Sequence, residues 1–359
     1  MFIQQILHKP ELSKADIICL LNATGEDMEL LFEHVAKIKQ QNIGNTVHLR
    51  ALVELSNSCE KDCYYCGIRK SNHNINRYTV NEDEMIEAIQ FAYQNGYGSM
   101  AIQSGENQSK VFKEKINSIL KKAKEISHGE LGITLSCGEQ PEKTYREWFE
   151  NGAKRYLLRI ETSNKALYEK LHPNNEKHSF KNRLNALYLL KNIGYQVGTG
   201  VMIGTPFQTV DDLVDDLLFM KNFDIVMCGM GPYIEHRETP LYEYKGSLLS
   251  LNKRLELSLK MIAVLRILMP DINIAATTAL QTIDKNARMK AIQIGANVFM
   301  PNITPKQYRE NYCLYENKTV SSKSAEDELQ YLDECLQAIG HRIGYFEQGN
   351  SRHYKDVQF

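Results

Sequence analysis

The sequence predicts an α/β fold, a (β/α)8 barrel carrying an N-terminal helical cap and a C-terminal extension. Two observations carry this expectation. Between His48 and Pro301, eight short apolar runs alternate with longer amphipathic segments, and such alternation calls for a parallel sheet with right-handed crossovers. The same stretch has the length, about 250 residues, at which such a sheet closes into a TIM-type barrel. A doubly wound open sheet is the alternative, and periodicity alone does not separate the two.

In chain order, residues 1–47 read as the helical cap. Leu7, Leu12, Ile17, Leu20 and Leu21, then Met28, Leu31, Phe32, Val35 and Ile38, recur at helical spacing with no catalytic motif among them. Strands are expected at Leu49–Leu55, Ser99–Gln103, Gly132–Ser136, Arg155–Ile160, Val197–Ile203, Ile225–Gly231, Ile274–Thr278 and Asn297–Met300. Helices are expected at Glu82–Gln94, Lys110–Ile126, Lys143–Glu150, Phe180–Ile193, Val210–Phe223, Leu251–Leu268 and Ala287–Ile294. Gly96, Gly152, Gly194 and Gly295 follow several of these helices, where a left-handed stop suits glycine. The barrel is thus expected over residues 48–301. The extension, 302–359, reads as an irregular stretch, a helix near Ser324–Ile339 and a polar end.

Composition narrows the function. The chain is 43% apolar and 24% charged, enough to build a packed core. Lysine and arginine total 43 against 44 aspartates and glutamates, so no net charge draws it to nucleic acid or an anionic membrane. No apolar run reaches the roughly 20 residues that span a bilayer, and the N-terminus lacks a secretory pattern, so a cytoplasmic protein is expected. In that compartment the eight cysteines do not suggest a disulfide framework. Five are scattered and three are bunched.

The bunched three, Cys59, Cys63 and Cys66, follow the first expected strand with spacing C-x3-C-x2-C. Active sites of β/α barrels form from the loops at the C-terminal ends of the strands, which is where this triplet falls. Three thiolates on one short loop can hold three corners of a cubane iron–sulfur cluster, leaving one iron open to a small molecule. A closed zinc site, with His73 as fourth ligand, is the alternative. Other polar groups gather at later strand ends. Residues of alternating position share a face, so Thr134 with Ser136, and Arg159 with Glu161, can point into the barrel. An arginine and a glutamate there can neutralise a carboxylate and accept from an ammonium or hydroxyls, with a structural ion pair as the alternative. Thr277, Thr278 and Tyr308, near the last two strands, offer neutral hydrogen bonds to a polar substrate, or simply cap strand ends. No nucleophile elbow, Walker loop or H-E-x-x-H is present.

The C-x3-C-x-aromatic-C segment after a first strand resembles the radical S-adenosylmethionine (SAM) superfamily. The resemblance implies one 4Fe–4S cluster held by Cys59, Cys63 and Cys66, with SAM chelating the open iron and split to a 5′-deoxyadenosyl radical. It implies that Tyr65 packs near the adenine and that Ser104, Gly105 and Glu106, at the second strand's end, bind the SAM amino group. It further implies that Ser136, Glu161 and Arg183 contact SAM, and that Met202 lies on the adenine-contacting segment. A solvent-facing helical arginine is the other reading of Arg183. Thr134 and Arg159 join Thr277, Thr278 and Tyr308 as substrate contacts, with no catalytic side chain required beyond cluster and SAM.

The likeness extends from His48 to about Tyr315, within the biotin-synthase-like branch, and is closest to the HydE-type maturases of FeFe-hydrogenases. It rests on Glu54-Leu-Ser-Asn57, Cys66-Gly-Ile-Arg69, Ile102-Gln-Ser-Gly-Glu106, Arg155-Tyr-Leu-Leu-Arg-Ile-Glu-Thr162, Gly231-Pro-Tyr-Ile-Glu-His236 and Gly295-Ala-Asn-Val-Phe-Met-Pro-Asn302. It implies a part in assembling the two-iron subcluster of the hydrogenase H-cluster. The partners it implies are the maturases HydG and HydF and a reducing protein such as ferredoxin or flavodoxin. Some relatives hold an accessory cluster near the C-terminus; Cys313 and Cys335 stand far apart here, so one cluster is expected. A methylornithine-synthase-like or biotin-synthase-like enzyme is the alternative. A passive electron-transfer module is a third reading, which the missing fourth cysteine opposes.

Overall fold

The computed structural model describes residues 2–318 and 324–355. Its centre is a ring of eight parallel strands: β1 (Thr46–Ser56), β2 (Ser99–Ser104), β3 (Gly132–Ser136), β4 (Arg155–Leu157), β5 (Gln196–Thr199), β6 (Met227–Cys228), β7 (Asn273–Ile274) and β8 (Val298–Phe299). Each pairs with the next, and β8 returns to β1 through His48 opposite Val298. The seam between β7 and β8 is a single bridge, Ala275 to Val298, with Asn297 N–H donating to the Ile274 carbonyl and Ala276 N–H to Val298. Closure pairs both outer strands of this sheet, β7 and β8, with each other.

Period-two alternation sorts the side chains. Leu49, Ala51, Val53, Met100, Ile102, Ile133 and Leu135 face outward and are buried beneath the helices. Arg50, Leu52, Ala101, Gln103, Thr134 and Ser136 face inward and line a central cavity with Met227, Asn273 and Met300. The expected helices form, with Glu82–Gln94 and Val210–Phe223 each opened by a reciprocal capping box, at Asn81/Glu84 and Thr209/Asp212. At the N-terminus, helices Phe2–Leu7, Lys14–Leu21 and Gly25–Asn42 form a layer over the outer helices Val210–Phe223, Leu251–Leu268 and Ala287–Ile294.

Five expected strands are shorter than their apolar runs: the fourth stops at Leu157 rather than Ile160, the eighth covers only Val298–Phe299, and the other three diverge further. The fifth stops at Thr199 and the sixth at Cys228; beyond them Met202–Ile203 pairs with Gly231–Pro232 as a separate ladder. Gly200 lies flat against Gly229 between the two ladders, where a Cβ would come within 2.0 Å of the Gly229 carbonyl oxygen. The seventh ends at Ile274, and Thr278 opens a helix, Thr278–Ile283, rather than ending a strand. A short helix, Lys165–Leu171, was not expected from the sequence. Its signal is local, since the Asn164 side chain accepts from the Ala166 and Leu167 amides.

The extension forms helix Ala325–Ala338, with Ser324 as its cap, and then a strap. Arg342–Ile343 pairs with the start of β1. Residues 347–351 then cross the N-terminal end of the barrel. Buried Arg155 donates to the Gln348 carbonyl and the Asn350 side chain, both at 2.8 Å, and Asn273 donates to the Gly349 carbonyl at 2.8 Å. His353 fastens the strap, lying 2.7 Å from both Asp224 and Asp271. The expected polar end is therefore structured as far as residue 355, and its last four residues lie outside the described chain.

Candidate functional site

A register shift between Glu54 and Ser56 releases the chain from β1 into the loop that carries the cysteines. Buried Asn57 anchors its start, donating to the Asn76 and Asn311 carbonyls and accepting from the Tyr78 amide. Cys63 is buried, while Cys59 and Cys66 are partly exposed. Burial, then the fields of its neighbours, pushes the Cys63 thiol up to about 12 and raises Cys59 and Cys66 as well. The Glu106 amide donates to the Cys59 sulfur at 3.3 Å.

Two glycines allow this loop to seat. A Cβ on Gly105 would stand 2.4 Å from the Ser58 carbonyl oxygen, and one on Gly67 only 2.1 Å from that of Cys313. His73, the alternative zinc ligand, is exposed. Among the described residues no three His, Cys, Asp or Glu side chains converge where a single ion would sit. A cubane takes one thiolate per iron, so its ligands surround a cage rather than a point.

The segment 171–178 clasps the loop from its other side. The Tyr64 amide donates to the Leu171 carbonyl at 3.0 Å, and the Asp62 amide to His178 Nε2 at 2.8 Å. The Tyr65 hydroxyl donates to His172 Nε2 at 3.1 Å, because His172 Nδ1 is engaged by the Tyr168 carbonyl at 2.8 Å. Lys61 reaches the Lys177 carbonyl. Burial lowers His172 to about 3 and His178 to about 4, so both rings are neutral and each presents an acceptor nitrogen to the loop.

Above the clasp lies a buried charge network. Lys61 stands 3.4 Å from Glu106 and 3.2 Å from Glu139, and Arg183 donates to Glu139 at 2.6 Å and to the Arg159 carbonyl at 2.5 Å. For Glu139, burial is outweighed by Arg183 and Lys61, so its pKa falls; for Glu106, burial prevails over Lys61 and its pKa rises. Arg183 is therefore turned inward, not towards solvent. Arg159 holds Glu161 through two parallel bonds of 2.9 Å and donates to the Gly229 carbonyl at 2.6 Å. Glu161 sits at φ +66°, a left-handed conformation that a non-glycine residue keeps only where its surroundings impose it.

Met202 packs with Leu167, Leu171, Tyr233 and Leu241 against Tyr64 and Tyr65, making an apolar wall beside the cysteine loop. Ser104 donates to the Gly105 carbonyl at 2.8 Å. Thr134 and Ser136 line the cavity, and the Thr134 hydroxyl is buried without a partner among the described residues. Thr277 donates to the Met230 carbonyl at 3.1 Å, and the Thr278 hydroxyl lies 3.1 Å from that of Tyr315. Tyr308 stands apart from the other expected residues. Its ring stacks on Tyr78 at 4.7 Å and its hydroxyl donates to Glu84 at 3.0 Å, so the outer helix, not the cavity, satisfies it. Lys61, Glu139, His172 and His178 are contributors that sequence reasoning missed. The sequence signal for Lys61 was its place inside the C-x3-C span, and the others had none.

The donor set suits a cluster with one open iron: three thiols on one loop at the C-terminal end of β1, with the Arg159–Glu161 pair just past β4 and the buried Thr134 hydroxyl on β3. Residues 53–220 match the model of the Radical SAM superfamily. The chain is 42% identical over 330 residues to the [FeFe] hydrogenase maturase subunit HydE of Thermotoga maritima, covering 92% of this chain and 91% of that one. It is 28% identical over 300 residues to the 3-methylornithine synthase of Methanosarcina acetivorans, covering 83% and 81%. The crystal structure of methylornithine synthase (PylB) has the same fold, with a TM-score of 0.81 at 23% identity over 96% of this chain and 98% of that one. The HydG structure follows at 0.78 and 20%, over 96% and 75%.

Proposed function

The chain belongs to the radical SAM superfamily and, within it, to the HydE family, and from that membership we propose that it uses one 4Fe–4S cluster and SAM in assembling the two-iron subcluster of an FeFe-hydrogenase. Cys59, Cys63 and Cys66 hold the cluster. Ser104, Gly105, Glu106, Ser136, Glu161, Arg183 and Met202 bind SAM, with Tyr65 packing beside the adenine. The chemistry that cluster and SAM supply together is reductive cleavage to methionine and a 5′-deoxyadenosyl radical.

The protein's own task is positioning and exclusion of water. The Glu161 carboxylate, held rigid by Arg159, accepts from an ammonium or a ribose hydroxyl. Arg183, already compensated by Glu139, offers its remaining donors to a carboxylate. The apolar wall around Met202 gives a flat base a dry surface. Below, Thr134, Arg159, Thr277 and Thr278 supply polar contacts to a small substrate in the barrel, an organometallic or amino-acid-derived compound. A ferredoxin or flavodoxin delivers the electron, and HydG and HydF stand before and after it in the pathway.

The observation that carries this reading is the cysteine triplet gathered on one loop at the C-terminal end of β1. Its test is Cys63→Ala in protein reconstituted anaerobically with iron and sulfide. The wild type should show a SAM-perturbed 4Fe–4S EPR signal and form 5′-deoxyadenosine under dithionite. The variant should lose both while keeping its circular dichroism and melting temperature. Full iron content and SAM cleavage in the variant would overturn the ligand assignment.

A further inference from the structure

We propose that Arg77 is a positioning residue that staples the two ends of the cysteine loop and sets a positive charge beside the thiols, so that the loop is formed before a cluster enters and the reduced cluster is favoured. The proposal rests on the cluster reading above.

The geometry is specific. Arg77 Nη1 donates to the Asn57 carbonyl at 2.5 Å and to that of Ile68 at 2.8 Å. Its Nη2 donates to Arg69 at 2.6 Å, to Asn72 at 3.0 Å and, more weakly, to Lys70 at 3.5 Å. Asn57 lies just before Cys59, and Ile68 begins the segment just after Cys66. One planar guanidinium therefore bridges the entry and exit of the loop, a span that the single point donor of a lysine does not reproduce.

The charge is also unspent. Among the described residues Arg77 makes no ion pair, whereas its neighbours are compensated, Arg69 by Asp62 at 2.8 Å and Lys177 by Glu60 at 3.0 Å. The ionisable groups whose fields reach it are Cys59 and Cys66. A cluster on three thiolates becomes more negative on reduction, and nearby net charge is one of the factors that sets its potential. Because the Arg77 side chain is largely exposed, solvent screens the effect to a modest size.

The experiment compares Arg77→Lys, which keeps the charge, with Arg77→Gln, which removes it, in full-length protein. In the cluster-free state, amide exchange across residues 57–72 should speed up at least fivefold in both variants, while β2 stays protected. After reconstitution, iron content and the cluster's midpoint potential are read by EPR titration. Arg77→Gln should make reduction about threefold less favourable, roughly 30 mV more negative, while Arg77→Lys stays near the wild type. Unchanged exchange in both variants would overturn the staple, and an unchanged potential in Arg77→Gln would overturn the charge role. A wild type that binds no cluster would sink the reading on which the charge role rests, while the exchange measurement would still decide the staple.

Discussion

At the residue scale the site depends on groups held by strain and by compensation. Glu161 keeps a left-handed backbone and a two-bond clamp to Arg159. Glu161→Gln should leave iron content intact yet weaken SAM binding by roughly tenfold or more, the loss of a charge-assisted hydrogen bond worth about 1.5–3 kcal/mol. Equilibrium dialysis with the reconstituted protein would show it, and unchanged affinity would remove Glu161 from the SAM site. Residues of this kind differ in legibility. The cysteines were readable because eight consecutive residues contain all three. Arg159 and Glu161 were expected together from strand alternation, but β4 ends at Leu157 and Glu161 is left-handed, so it is the two-bond clamp, not a shared strand face, that pairs them. His178 was not readable, because its partner Asp62 lies 116 positions away and no local spacing reports such a pairing. Glu139 was hidden for the same reason, its partner Arg183 standing 44 positions on.

At the scale of elements, the segment 171–178 and the cysteine loop behave as one unit. His178→Ala removes the acceptor for the Asp62 amide. In cluster-free protein it should raise amide exchange over residues 60–66 several-fold and lower iron uptake, while His178→Gln, which retains an acceptor, should restore both. Indifference of exchange to His178→Ala would mean the clasp is incidental. The short helix leading into the clasp has its own handle. Asn164→Ala strips two amides of their acceptor and should cost about 1 kcal/mol in a denaturation experiment. Helix positions were largely legible because capping boxes and glycine stops mark them locally. Strand lengths were not. Apolar runs continue past Thr199, Cys228 and Ile274, but ladder pairing breaks there, resuming for the first two as the separate pair Met202–Ile203 and Gly231–Pro232, and a one-dimensional pattern carries no record of that break.

For the whole molecule, the number of strands followed from alternation, closure was favoured by length over an open doubly wound sheet, and the path of the extension was not expected at all. Nothing in a polar tail announces that it crosses beneath a barrel. The crossing is held in part by His353, where burial opposes charge but the bonds to Asp224 and Asp271 prevail, so its pKa is raised. A raised histidine stabilises fully below its unfolded pKa near 6.5 and loses that contribution as pH rises through the folded value. His353→Gln should therefore destabilise the protein at pH 6 but much less at pH 9, by under about 1 kcal/mol since the group is partly exposed. Equal losses at both pH values would exclude the imidazolium. Removing residues 342–359 should be costlier, because buried Arg155 then loses both of its partners, at about 1–3 kcal/mol for each unmet donor, and a lowered midpoint in urea would record it.

The strap beneath the barrel also dictates an itinerary. With that end stopped, the interior is a cul-de-sac whose mouth is the rim that carries the cysteine loop. Whatever sits deepest must arrive first and depart last, since anything lodged at the rim corks the way in. With SAM at the rim and the small substrate deeper, as proposed above, steady-state kinetics should show compulsory order, the small substrate loading ahead of SAM and excess SAM acting as a dead-end inhibitor.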